Sequence, residues 1–199
     1  MNPASTAEST LTRRQALLLG GSLAFATGTS AQPLTGSAFW DLLREGGCAV
    51  LMRHGRTEPG LGDPPGFNLG QCRTQRNLSA EGREQSRRVG QAFRREGVSV
   101  AAVRSSAWCR CVDTAQLAFG QVDVWPALNS FFQGQGDRAE QTRAVQAGLA
   151  SLRAPANWVL VTHQVNITAL TGEVPAMGEL FVVRPGGDAA LRVLARLTT

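Results

Sequence analysis

The chain has 199 residues, long enough for one domain with a real core, and its apolar share of 43% is that of an ordinary globular protein. Every basic side chain is an arginine, so the lysine of a Walker-type phosphate loop cannot be supplied. The net charge of +5 suits an anionic ligand, but the arginines are spread along the chain without interleaved aromatic residues, which argues against a nucleic-acid partner.

Residues 1–31 read as a signal peptide. Arg13 and Arg14 precede a modest apolar stretch, and small residues, Thr29 and Ala31, stand where cleavage after Ala31 requires them. Thr12-Arg13-Arg14 resembles the start of a twin-arginine signal. Residues 32–199 are then the functional domain, expected in the periplasm or secreted. No apolar run in that part is long enough to span a membrane, so no stable membrane insertion is expected after cleavage. In such a compartment disulfides persist, and the four cysteines are even in number. There is no C-x-x-C, and the two histidines are far apart in sequence, so neither a metal site nor a cofactor is expected.

The first predicted element is a helix over 37–47, with Phe39, Leu42 and Leu43 on one side and a stop at Gly46-Gly47. Residues 48–53 (CAVLMR) follow as a short buried strand, and the Gly/Pro-rich stretch 57–70 is a loop. Ser79 opens a helix over 79–97 that carries Val89, Ala92 and Phe93 at helical spacing. A strand over 98–105, a helix over 107–120 closed by Gly120 and a strand over 122–128 come next. Asp137 to Leu152 reads as a helix, 157–162 as a strand and 164–172 as a helix start. Two last strands, 179–185 and 189–197, form a hairpin around Gly186-Gly187.

Strands alternating with helices predict an α/β three-layer sandwich around a mostly parallel sheet. Such sheets bind ligands beyond the C-terminal ends of their strands. There the sequence puts Arg53 and His54 after one strand, then Ser105, Ser106 and Arg110 after another, and His163 after a third. Two histidines and two arginines on one sheet edge make an anion site with a candidate nucleophile.

The stretches LMRHGRTEPG, SSAWCRCVDTA and VTHQVNI resemble the histidine phosphatase superfamily, the group that includes cofactor-dependent phosphoglycerate mutases. The family's Arg-His-Gly falls on Arg53-His54-Gly55, its second arginine on Arg110 before Thr114-Ala115, and its second histidine on His163. RNLSAEGREQSRRVG is also similar to a family helix start, and the likeness runs over about residues 46–197. It implies a phosphoglycerate mutase-like fold and a metal-independent phosphatase acting on a small phosphomonoester. It also implies a phosphohistidine on His54, hydrolysed by water, with His163 donating to the phosphoryl oxygens. The chain departs from the family in two places. Gln164 stands where the acid phosphatase branch has an acid, and PALNSFFQG supplies no glutamate where mutases carry theirs.

The chemistry asks for fixed cations, because a phosphoryl group in flight spreads negative charge over three oxygens. Arg53 and Arg110 fit that role bidentately. Gly55 is expected to bring the backbone close to the phosphate, Thr57 to add a hydroxyl donor, and Gln164 to contact substrate. A carbonyl at one ring nitrogen of His54 would fix its tautomer, and nearby arginines would lower its pKa. The proton donor is open between Glu58 and Asp137. Asp137 is preferred because arginines beside Glu58 should hold it ionised, although Asp137 also heads a capping box with Glu140. Cys109 adjoins Arg110 and Cys72 lies in the loop after Arg-His-Gly, so a Cys72–Cys109 disulfide is expected to tether that loop. A non-catalytic phosphate-binding module on the same fold is the alternative to the enzyme. An arginine-rich nucleic-acid binder rests on charge alone.

Overall fold

The structure is a computed structural model and describes residues 36–184 and 191–199. The signal peptide, its cleavage point and the Gly186-Gly187 turn lie outside the described residues.

Strand β1 (Ala49–Arg53) shows how the layers arise. Ala49 through Met52 are fully buried on both faces of the sheet, and the side chains divide by the period of two. Val50 and Met52 pack into one core with Phe39, Trp40, Val89 and Phe93. Ala49 and Leu51 pack into a second core with Leu128, Leu149, Ile167 and Leu170. The first core is covered by α1 (Ser37–Glu45), α2 (Ala80–Arg95) and α3 (Cys109–Phe119), and the second by α4 (Arg138–Leu149) and α5 (Gln164–Thr171). This is the expected three-layer sandwich.

The described strands form one sheet in the order β3-β2-β4-β1-β5-β6, with β2 at Ala102–Ser105, β3 at Asp123–Val124, β4 at Trp158–Thr162, β5 at Leu180–Val183 and β6 at Val193–Leu197. β1, β2, β3 and β4 pair in parallel, and β5 and β6 add antiparallel pairings at one side. β1 and β4 are neighbours, with Arg53 opposite Thr162. After β1 the chain goes to α2 on one face, and after β4 to α5 on the other. The crevice between these two departures is where an open α/β sheet takes a ligand.

Two strands are shorter than the sequence pattern suggests. β2 begins only at Ala102, because residues 98–101 are still crossing from the end of α2. β3 keeps two exposed residues, and Pro126 then turns the chain into a 3-10 turn over Pro126–Leu128, since proline has no N–H to give a ladder. The helix termini follow their capping chemistry. Ser79 accepts from the Gly82 N–H at the start of α2, and Gly120 closes α3 in the left-handed conformation.

Candidate active site

The Arg-His-Gly turn is held from below by α2. A Cβ on Gly82 would run into the backbone of Arg56, and one on Gly55 would lie 2.8 Å from the Gly82 carbonyl oxygen. Gln85, buried on the same helix, accepts from the Arg56 N–H at 3.0 Å and donates to the Met177 carbonyl. Thr114 of α3 accepts from the Gly55 N–H at 3.0 Å while donating to the carbonyl of Arg110. Gly55 therefore serves the packing of the turn against α2 and does not line the pocket, contrary to the expected approach to phosphate. Glycine is required because the turn and helix backbones meet there.

The turn delivers His54 to the strand end with its backbone N–H on the carbonyl of Thr162, at 3.0 Å. His54 Nδ1 lies 2.9 Å from the carbonyl oxygen of Gly55. A carbonyl only accepts, so Nδ1 carries the hydrogen and Nε2 keeps its lone pair. Burial first, then the charge of Arg110 with Arg53 and Arg76, pushes the His54 pKa down to about 3. His163, at the head of α5, is also buried, its ring centroid 5.5 Å from that of His54. Its Nε2 is 2.8 Å from the Ser106 hydroxyl and 3.5 Å from Cys111 Sγ. Burial and the positive surroundings hold its pKa well below the usual histidine value. Cys111 is a buried free thiol whose pKa burial pushes up to about 12, so it is no thiolate nucleophile.

Three arginines line the same pocket as the two histidines: Arg53, Arg110 and Arg76. Arg76 comes from the end of the long loop and escaped the motif reading. Burial and mutual repulsion lower the pKa of both Arg53 and Arg76, the mark of cations gathered without enough anions. Arg53 donates through Nη1 to the carbonyl of Pro175 at 2.9 Å, and Arg76 through Nη1 to the Thr57 hydroxyl at 2.6 Å. The Thr57 hydroxyl thus holds an arginine and does not line the pocket itself. Gln164 does line it.

The one acid lining this pocket is Asp63, which no motif marked. Its carboxylate takes Arg110 Nη1 at 2.7 Å, Arg110 Nη2 at 3.2 Å, Trp108 Nε1 at 2.9 Å and the Arg76 N–H at 2.9 Å. Burial alone would raise its pKa, but the Arg110 bonds and the other donors outweigh it and leave the carboxyl below its usual range. Asp63 is therefore a poor proton donor and a strong clamp for Arg110. Two guanidinium nitrogens, Nε of Arg53 and Nε of Arg110, are buried without a partner.

The other proton-donor candidates are elsewhere. Asp137 is exposed, outside the pocket lining, and its carboxylate caps α4 by accepting from the Glu140 N–H at 2.8 Å. Asp137 therefore takes the capping role that its spacing from Glu140 also offered. Glu58 is also exposed and outside the lining. Cys72 and Cys109 are joined in a disulfide, which ties the long loop to the first residue of α3, next to Arg110. Among the described residues no cluster of acids, histidines and cysteines is arranged to hold a metal ion.

The sequence model of the histidine phosphatase superfamily (branch 1) matches residues 49–135. The matched segment holds Arg53, His54, Asp63, Arg76 and Arg110. Several solved structures share the fold. The protein histidine phosphatase SixA, solved with tungstate, superposes with a TM-score of 0.54 at 17% identity, over 76% of this chain and 96% of that one. An Escherichia coli protein described as a putative alpha-ribazole-5'-P phosphatase gives 0.52 at 20% identity, covering 76% and 98%. A phosphoglycerate mutase from Thermus thermophilus gives 0.51 at 24% identity, covering 76% and 99%. No curated protein matches the sequence.

Proposed function

We propose that this protein is a phosphatase that hydrolyses a small phosphomonoester through a phosphohistidine on His54, without a metal. The observation that carries the reading is the state of the pocket. Two buried histidines held neutral stand beside three arginines, only one of which is paired with a carboxylate. With Asp63 ionised, three guanidinium charges leave a net +2, the complement of a phosphate dianion. Arg53 donates to the Pro175 carbonyl, and Arg76 to the Gly62 carbonyl and the Thr57 hydroxyl, all neutral oxygens, so both guanidinium groups keep N–H donors for phosphoryl oxygens.

In this reading His54 Nε2, its lone pair free because Nδ1 donates to Gly55, attacks phosphorus and the ester P–O bond breaks, the leaving oxygen taking a proton from solvent at the pocket mouth. Arg53, Arg76 and Arg110 spread over the charge that develops on the phosphoryl oxygens. His163, with Nε2 taken by Ser106, meets the phosphoryl group through Nδ1. Water then cleaves the N–P bond and restores His54. Export fits the same picture, since the twin arginines at Arg13-Arg14 and a disulfide both suit a periplasmic or secreted protein.

The test is hydrolysis of p-nitrophenyl phosphate in EDTA. The wild type is expected to turn over, and His54→Ala to lose activity by roughly a thousandfold or more. Acid-labile, base-stable label on His54 after rapid quench supports the intermediate. Binding of inorganic phosphate with no turnover by the wild type would instead show a phosphate-binding module.

A further inference from the structure

The floor of the pocket is charged, but its mouth is not. Leu61, Phe67 and Phe132 contribute apolar surface around the entrance, and Trp108 lines the pocket deeper in, against His163. Leu61 is 84% exposed and Phe132 36%, and only Val124 and Val174 share that distinction among the large apolar residues described. Single exposed apolar residues are common, but two on opposite lips of one pocket form a patch with a use. Phe67 and Trp108 add a tilted ring pair, centroids 6.0 Å apart.

The polar groups of the mouth are amides. Gln133, Gln135 and Gln164 line it, and beyond the three arginines and Asp63 no charged residue does. Gln133 is the one non-glycine residue described with a left-handed backbone, φ 55°. That conformation is costly for a side chain of this kind and persists where the surroundings fix it, often at a ligand clamp. The surroundings here are the opposite lip: a Cβ on Gly62 would lie 3.2 Å from Gln133 Oε1 and 3.6 Å from the Phe132 ring. Two loops, one carrying Leu61-Gly62 and the other Phe132-Gln133, thus close on each other over the charged floor.

We propose that this mouth binds the alcohol part of the substrate, and that this part is uncharged and carries an aromatic or heteroaromatic ring. The inference rests on the phosphatase reading for the identity of the phosphate end. A carboxylate or second phosphate on the alcohol would find no free cation at the mouth. An ammonium would find no free acid, because Asp63 is already committed to Arg110. A flat neutral ring finds Phe132, Phe67 and Leu61, and its ring heteroatoms or hydroxyls find the glutamine amides.

The experiment compares alkyl phosphates of similar leaving ability: 2-phenylethyl phosphate, glycerol 3-phosphate and 3-phosphoglycerate. kcat/KM for the phenylethyl ester is expected to exceed the other two by about tenfold or more, the scale of a small apolar contact. In Leu61→Ala/Phe132→Ala that ratio should fall towards one. Equal rates for the three esters, or a preference for the carboxylate, overturn the proposal. Calorimetry with benzylphosphonate and methylphosphonate separates the two readings. Tighter binding of the benzyl compound with no turnover of any ester refutes the phosphatase and supports the aromatic mouth. Equal affinity for both phosphonates refutes the mouth whatever the turnover.

Discussion

Asp63 closes both terminal nitrogens of Arg110, at 2.7 and 3.2 Å, with the two side chains only 7% and 5% exposed. The carboxylate fixes the plane of the guanidinium and leaves Nε as its unpaired donor. Removing the acid leaves a buried cation without a partner, which typically costs about 3–5 kcal/mol. Asp63→Ala is therefore expected to lower the denaturation midpoint sharply. Inorganic phosphate should recover more stability in the variant than in the wild type, because the anion replaces the lost charge. At a hundred times its dissociation constant a ligand adds about 2.7 kcal/mol. Urea titrations of both proteins with and without phosphate check this, and equal phosphate effects would mean that Asp63 and phosphate do not share Arg110.

The two buried histidines set the acid limb of stability. The unfolded chain takes up protons on them near the ordinary value of 6.5, while folded His54 stays neutral to about 3 and folded His163 well below 6.5. Between those values the unfolded state binds more protons, so stability falls as the pH drops from about 6.5 towards 3. The slope approaches about 2.7 kcal/mol per pH unit for two protons. Asp63, whose folded pKa is lowered, adds a further loss only below its ordinary value of 3.8. Urea midpoints across pH 3–8 should decline from about 6.5 in the wild type, with a shallower decline in His54→Gln. A wild-type limb that begins only near pH 4 would show that both imidazoles titrate normally in the fold.

Much of this was legible because β1, α2, α3, β4 and α5 are regular elements whose ends carry the Arg-His-Gly turn, Arg110 and His163. Apolar runs and helical spacing fixed those ends to within a few residues, and the sheet did the rest by placing them side by side. Asp63 and Arg76 were not legible. They lie in a loop without periodicity, and their roles come from contacts 47 and 34 residues away in sequence, with Arg110. Asp137 is the opposite case. Its local pattern, a carboxylate three residues before Glu140, describes a cap completely, and the structure uses it as one.

The loop that holds Asp63 and Arg76 is tied to α3 through Cys72–Cys109, a bridge across 37 residues. A bridge of this span typically contributes about 2–4 kcal/mol. The denatured, unreduced protein should show two free thiols, Cys48 and Cys111. Cys72→Ser/Cys109→Ser should lose stability on that scale and raise KM, since Asp63 and Arg76 would hold Arg110 and substrate less firmly. Four free thiols would remove the bridge from the account, and an unchanged KM would remove its link to the site.

Gly82 is the position where a single methyl group should do most damage at a distance from the chemistry. It lies in the first turn of α2, where alanine would otherwise favour the helix by about 1 kcal/mol. Its missing Cβ is the space taken by the backbone of Arg56, and backbone cannot swing aside as a side chain would. Gly82→Ala must move the turn that carries His54 or move α2, whose Gln85 is bonded to that turn. Overpacking of this kind costs about 1–3 kcal/mol, so the variant should fold with a reduced midpoint. A shift of the nucleophile by about 1 Å costs of order a hundredfold in rate, and kcat should fall on that scale. Steady-state kinetics and a urea titration of the same preparation check both. Wild-type kcat in a folded Gly82→Ala protein would show that α2 does not position His54.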